Sequence, residues 1–110
     1  MTTIGDYAFS NMKSLESIII PSGVVSIGDG VFSNCTRLRS ISILGSITST
    51  GESAFYGCVS LSSVTLPSTI ITISDFAYSQ CSSIEALSLP STVVHIGEEA
   101  FFNCSRLSDV

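Results

Sequence analysis

Residues 84–104 read IEALSLPSTVVHIGEEAFFNC, and the apolar positions of this stretch return along the chain at every twenty-third position. Ile84 stands in register with Leu15, Leu38, Leu61 and Leu107. Three positions later come Ile18, Ile41, Val64, Leu87 and Val110, and two beyond those Ile20, Ile43, Leu66 and Leu89. The last two sets alternate with small or polar residues, as one buried face of a strand requires. Pro21, Pro67 and Pro90 follow directly, where a residue without an N–H closes a ladder, and Leu44 alone departs.

A second apolar pair comes next: Val24 with Ile27, Ile47 with Thr50, Ile70 with Ile73, Val93 with Ile96. Gly5, Gly28, Gly51 and Gly97, with Ser74 as the exception, then mark a turn at which positive φ is expected. Ala8, Val31, Ala54, Ala77 and Ala100 precede the aromatic series Phe9, Phe32, Phe55, Tyr78 and Phe101. Three residues further are Met12, Cys35, Cys58, Cys81 and Cys104, a spacing that fits one face of a single helical turn. Each unit thus reads as strand, tight turn, short extended piece and one helical turn. No unit this short buries enough to fold alone, so the units must stack.

The pattern L-x-x-I-x-I-P-x-x-V-x-x-I-G-x-x-A-F-x-x-C closely resembles the BspA-like leucine-rich repeats, also called the Treponema pallidum class, over nearly the whole chain. The expected architecture is a leucine-rich-repeat solenoid: a right-handed coil of 23-residue rungs, with a parallel β-sheet on the concave face and short helical turns on the convex side. Such repeats occur in surface and secreted proteins of bacteria and parasitic protists, where they are associated with adhesion. The resemblance therefore implies a cell-surface or extracellular setting and protein or cell-surface macromolecules as partners. With this period the 110 residues make about 4.8 units in a single domain. Met1 takes the slot of Val24 and Val110 that of Ile18, so the expected reading is a segment cut from a longer array.

Composition excludes several classes. Hydrophobic residues make up 45% and charged ones 12%, which is not the profile of a disordered tail. A net charge of −5 has the wrong sign for nucleic acid. No apolar run approaches the roughly 18 residues of a membrane span. No nucleophile elbow, phosphate loop or metal motif is present, and Gly28-Asp29-Gly30 lacks the third glycine of a dinucleotide fingerprint. No enzyme activity and no cofactor are expected.

The four cysteines rise one per rung, about 4.8 Å apart, so Cys35 and Cys104 lie roughly 14 Å apart and cannot share a zinc ion. Parallel Cβ vectors disfavour disulfides between neighbours, and a ladder of buried free thiols is expected. His95, the only histidine, occupies the outward slot that holds Ser26, Ser49 and Thr72 in other units and reads as a surface substitution. The sequons Asn34-Cys35-Thr36 and Asn103-Cys104-Ser105 arise from the repeat consensus itself. Asp6, Asp29, Glu52, Asp75 and Glu98 recur just after the turn residue. They are read first as caps of the helical turn and second as an acidic ridge able to take divalent cations weakly.

The candidate binding strip is the outward face of the concave strands: Glu16, Ser17 and Ile19; Arg39, Ser40 and Ser42; Ser62, Ser63 and Thr65; Glu85, Ala86 and Ser88; then Ser108 and Asp109. It offers hydroxyls without an aromatic anchor, which suits weak multivalent contact; a merely solvated sheet face reads the same residues equally well. The function expected is a non-enzymatic protein-binding or adhesion module, the alternative an intracellular or structural scaffold without a dedicated ligand. End-to-end self-association through unpaired terminal strands is also expected.

Overall fold

The computed structural model describes residues 2–107 apart from Ala86 and Ser88. Seven short strands appear in chain order: β1 (Thr2–Ile4), β2 (Ser17–Ile20), β3 (Val24–Ile27), β4 (Ser40–Ile43), β5 (Ser63–Thr65), β6 (Thr72–Ile73) and β7 (His95–Ile96). β2, β4 and β5 form one parallel sheet whose partners are one sequence period apart: Ile18 opposite Ile41, and Ile41 opposite Val64. The second apolar pair of each unit makes a second parallel stack, β1 with β3 and β6 with β7, continued by a bridge between Ser49 and Thr72. The sequence period is thus the length of one rung, and each rung carries two strand positions.

The third side of the rung differs from the helical turn expected there. Among the described residues no helix is present. Two positions per rung are left-handed instead: Tyr7, Gly30, Ser53, Phe76 and Glu99 in one series, with φ between 51° and 62°, and Asn11, Asn34, Gly57, Gln80 and Asn103 in the other, with φ between 57° and 74°. A residue of that hand every few positions interrupts right-handed winding. What forms is a run of tight turns, with Ser33 N–H donating to Gly30 O (3.1 Å) and Cys35 N–H to Phe32 O (3.2 Å). Alternate N–H groups then bond to the following rung: Gly30 to Glu52 O (2.8 Å), Phe32 to Ala54 O (2.8 Å) and Asn34 to Tyr56 O (2.7 Å). Backbone hydrogen bonds therefore link the rungs on this side as well, which satisfies groups that a solvent-exposed loop would leave to water.

The turn glycines also act differently from expectation. Of the four, only Gly51 has positive φ (79°). Gly28 and Gly97 are needed for close approach, because a Cβ at either would overlap the backbone and carboxylate of the aspartate one rung earlier, Asp6 or Asp75. Ser74 stands where Gly is expected, and its rung is matched by Thr50, itself a departure from Ile. Gly28 N–H donates to Ile4 O (2.8 Å) and Gly97 N–H to Ile73 O (2.7 Å), whereas Ser74 N–H is taken by Thr50 Oγ1 (3.1 Å). The two departures therefore meet in one hydrogen bond, which gives the buried threonine hydroxyl a partner. Leu44 is likewise explained: its N–H, which proline would lack, donates to Ile20 O (2.9 Å).

The core lies between these three walls. Phe9, Phe32, Phe55, Tyr78 and Phe101 form one continuous stack, with successive centroids 5.7, 5.4, 5.1 and 5.6 Å apart and rings within 8° of parallel. Val31, Ala54, Ala77 and Ala100 stay small beside it, and Leu38, Leu61 and Ile84 close the other side. Tyr78 introduces a defect, since its hydroxyl is fully buried and has no hydrogen-bond partner among the described residues. Tyr78→Phe keeps the ring and removes the orphaned group, so it should stabilise by about 1 kcal/mol. A lower melting temperature for this variant would show that the hydroxyl does find a partner.

Candidate functional site

The sheet of β2, β4 and β5 sorts the expected strip into rows along the stacking axis. Pairing puts Ser17, Ser40 and Ser63 in one row and Ile19, Ser42 and Thr65 in the next. Between them Ile41 turns inward and is buried, and Ile18 and Val64 pack partly against the core. Ser17, Ile19, Ser63 and Thr65 are exposed, Ser40 and Ser42 half-buried. At the strand entrance Glu16, Arg39, Ser62 and Glu85 are exposed. Ala86, Ser88, Ser108 and Asp109 fall outside the described residues.

The strip is held rigidly from behind. Arg39 N–H donates to Glu16 O (2.7 Å), and Arg39 O accepts from the N–H groups of Ser62 (2.9 Å) and Ser63 (3.2 Å). The outward side chains therefore project from a backbone bonded to the rungs on both sides, so a ligand need not order it on binding. Chemically, the face offers hydroxyl donors and acceptors at the rung spacing, one exposed isoleucine, and charge only at its entrance. Arg37 lies beside that entrance in the preceding turn and is exposed. Sequence reasoning missed it because it sits outside the strand alternation.

The cysteines are all free and buried, and their order is chemical as well as steric. Each thiol donates to the carbonyl of the aromatic residue 26 positions earlier: Cys35 to Phe9, Cys58 to Phe32, Cys81 to Phe55 and Cys104 to Tyr78, each at 3.1 Å. Burial pushes the Cys58 thiol up to about 12, the neighbouring Cys35 adding to the rise while a backbone hydrogen bond there opposes it. Cys81 is raised for the same leading reason, as are Cys35 and Cys104. Such thiols are kept protonated, which disfavours both nucleophilic attack and metal ligation.

The acidic row has a structural use that the sequence does not reveal. Asp6 Oδ1 accepts from Asp29 N–H (2.9 Å), Asp29 Oδ1 from Glu52 N–H (3.0 Å) and Asp75 Oδ1 from Glu98 N–H (2.8 Å). Each aspartate thus caps the next rung and not a helical turn of its own. Glu52, one methylene longer, makes no such bond to Asp75 among the described residues. Nor, among them, do three or more His, Cys, Asp or Glu side chains gather as a metal group. His95 shares a shallow recess with Glu52, Thr72, Ser74 and Asp75, and no hydrogen bond joins it to any of them.

The sequence profile of the BspA type leucine rich repeat region matches residues 2–110 in six copies. Among solved structures, a leucine rich cell surface protein from Faecalibacterium prausnitzii is 42% identical, with a TM-score of 0.93 over 97% of this chain and 28% of its own. A leucine-rich repeat protein from Eubacterium ventriosum is 31% identical (TM-score 0.71; 94% of this chain, 34% of its own). The T. pallidum leucine rich repeat protein is 25% identical (TM-score 0.77; 96% and 61%). The chain therefore spans under a third of the F. prausnitzii protein and less than two thirds of the T. pallidum one. No curated protein matches it.

Proposed function

The chain belongs to the BspA-type leucine-rich-repeat family, and from that premise we propose that it is a non-enzymatic protein-binding segment of a surface or secreted protein, with the β2–β4–β5 face as its contact surface. The observation that carries this reading is the pair of outward rows, Ser17–Ser40–Ser63 and Ile19–Ser42–Thr65, on a sheet held in strict one-rung register. A rigid array of short polar groups loses little side-chain freedom on binding and repeats one weak contact many times, so strength comes from multivalency. The 42% identical relative is a cell surface protein, which supports the same setting for this one.

Beads coated with the chain test the reading by their retention on untreated and protease-stripped cell surfaces. Retention should require surface protein and should fall when Ser63→Gln and Thr65→Gln are introduced together, both being exposed positions where the fold tolerates a longer neutral side chain. Retention unchanged by that pair, or absent from every surface tried, would leave a spacer without a ligand of its own.

A further inference from the structure

At the entrance of the strand face a recess of about 310 Å³ is lined by Glu16, Arg37, Arg39 and Ser60. The chain has only four arginines and lysines against nine acids, yet two of the four line this recess. Elsewhere the same geometry is neutralised. Arg106 pairs with Glu85 at 3.5 Å. Arg37 and Glu16 have the same separation in sequence as that pair, but among the described residues neither Arg37 nor Arg39 has a carboxylate within salt-bridge distance. The lining thus sets two arginines against one glutamate, a surplus of about one positive charge on a chain whose net charge is −5.

We infer that this recess binds a carboxylate, and that through it the strand face holds an acidic segment of a partner protein. The inference rests on reading the strand face as the binding surface. Two guanidinium groups present several N–H donors in a planar fork that matches a carboxylate. The surplus of one charge suits a single carboxylate, whereas a polyanion such as a nucleic acid or sulfated glycan meets the repulsion of the whole acidic chain. No aromatic side chain lines the recess to stack on a sugar ring, and the hydroxyl row beginning at Ser17 and Ser40 continues from it toward a polar peptide. Arg39 is also rooted in a backbone bonded on both sides, so its side chain starts from a fixed base.

The test uses a short peptide with two glutamates, blocked at both ends, titrated into the chain and followed by nuclear magnetic resonance at low salt. The expected result is binding that shifts the Arg37 and Arg39 side-chain signals. It should weaken about tenfold when the glutamates are replaced by glutamines, and about tenfold again for Arg37→Gln or Arg39→Gln. Arg106→Gln removes the same charge from a paired arginine and should change affinity less than twofold. Equal loss with Arg106→Gln would reduce the effect to bulk charge and overturn the inference, as would equal binding of the glutamine peptide or tighter binding of a sialylated trisaccharide. If Arg37→Gln and Arg39→Gln coat beads that are retained like the native chain while Ser63→Gln with Thr65→Gln are not, the carboxylate site falls and the strand-face reading stands.

Discussion

Phe55→Ala is expected to destabilise the chain by about 4–5 kcal/mol, near the top of the range for a buried aromatic. Phe55 is fully buried at the middle of the stack, with Phe32 at 5.4 Å on one side and Tyr78 at 5.1 Å on the other. Truncation removes ring area and both stacking contacts, and neighbouring rings cannot close the gap because each is fixed by its own rung. Contacts in a stacked array run only between neighbours, so the same change should also separate the rungs before Phe55 from those after it. Denaturant unfolding should show both effects, as a lower midpoint and a shallower or two-stage transition. His95→Ala is the control: an exposed residue whose side chain makes no hydrogen bond among the described residues should change stability by less than about 0.5 kcal/mol. A loss below about 1 kcal/mol for Phe55→Ala would show that the stack does not hold the rungs together.

Raising the pH from 9 to 11 should remove stability of the same order. The thiols of Cys58 and Cys81 ordinarily titrate near 9.0, and burial raises both in the fold, Cys58 to about 12. Below pH 9 both states are protonated and the full stability is present. Above it the unfolded chain gains by ionising while the folded chain cannot, so stability falls as pH climbs toward the folded value. The slope is about 1.4 kcal/mol per pH unit for each thiol, and two thiols over two units give on the order of 5 kcal/mol, comparable with the whole stability of a small domain. Tyr78, also raised by burial, adds to the slope above pH 10. Melting curves from pH 7 to 11 under reducing conditions measure this. Cys58→Ala with Cys81→Ala should start from a lower melting temperature and show a flatter decline, and an unchanged slope would mean that other groups carry the alkaline loss.

The strand register and the buried series were legible because burial imposes a pattern on residue type. Ile41 and Ile43 have to be apolar while Ser40 and Ser42 need not be, and the recurrence of the pattern then fixes which residues meet across rungs. The turn side was only half legible: Asn11, Asn34, Gly57 and Asn103 are of the types that favour the left-handed region, whereas the other left-handed position is set by hydrogen bonds between rungs more than by side chains. Tyr7, Gly30, Ser53, Phe76 and Glu99 share one left-handed position and nothing in their chemistry. The Gly slot was misread for a related reason: what excludes a Cβ at Gly28 is Asp6, which belongs to the previous rung in sequence and is adjacent in space. One signal was available, because Thr50 and Ser74 depart from the pattern at the same spacing that joins Ile4 to Gly28 and Ile73 to Gly97. On the candidate face, the outward rows followed from the alternation, while Arg37, placed in a turn, did not.

Apart from Ser10 Oγ, which donates forward to Ser33 O, the side-chain hydrogen bonds between rungs among the described residues have a direction. The thiols of Cys35, Cys58, Cys81 and Cys104 donate to carbonyls that come earlier in the chain, as do the hydroxyls of Thr69 to Ile47 O and Thr92 to Ile70 O. Asp6, Asp29 and Asp75 likewise wait for an N–H that comes later. A chain emerging from the ribosome presents its amino-terminal rungs first, so each new cysteine arrives with its acceptor already made and placed. Assembly can then proceed like a zip closed from one end during synthesis, whereas refolding of the complete chain from denaturant has to choose among near-identical registers one rung apart.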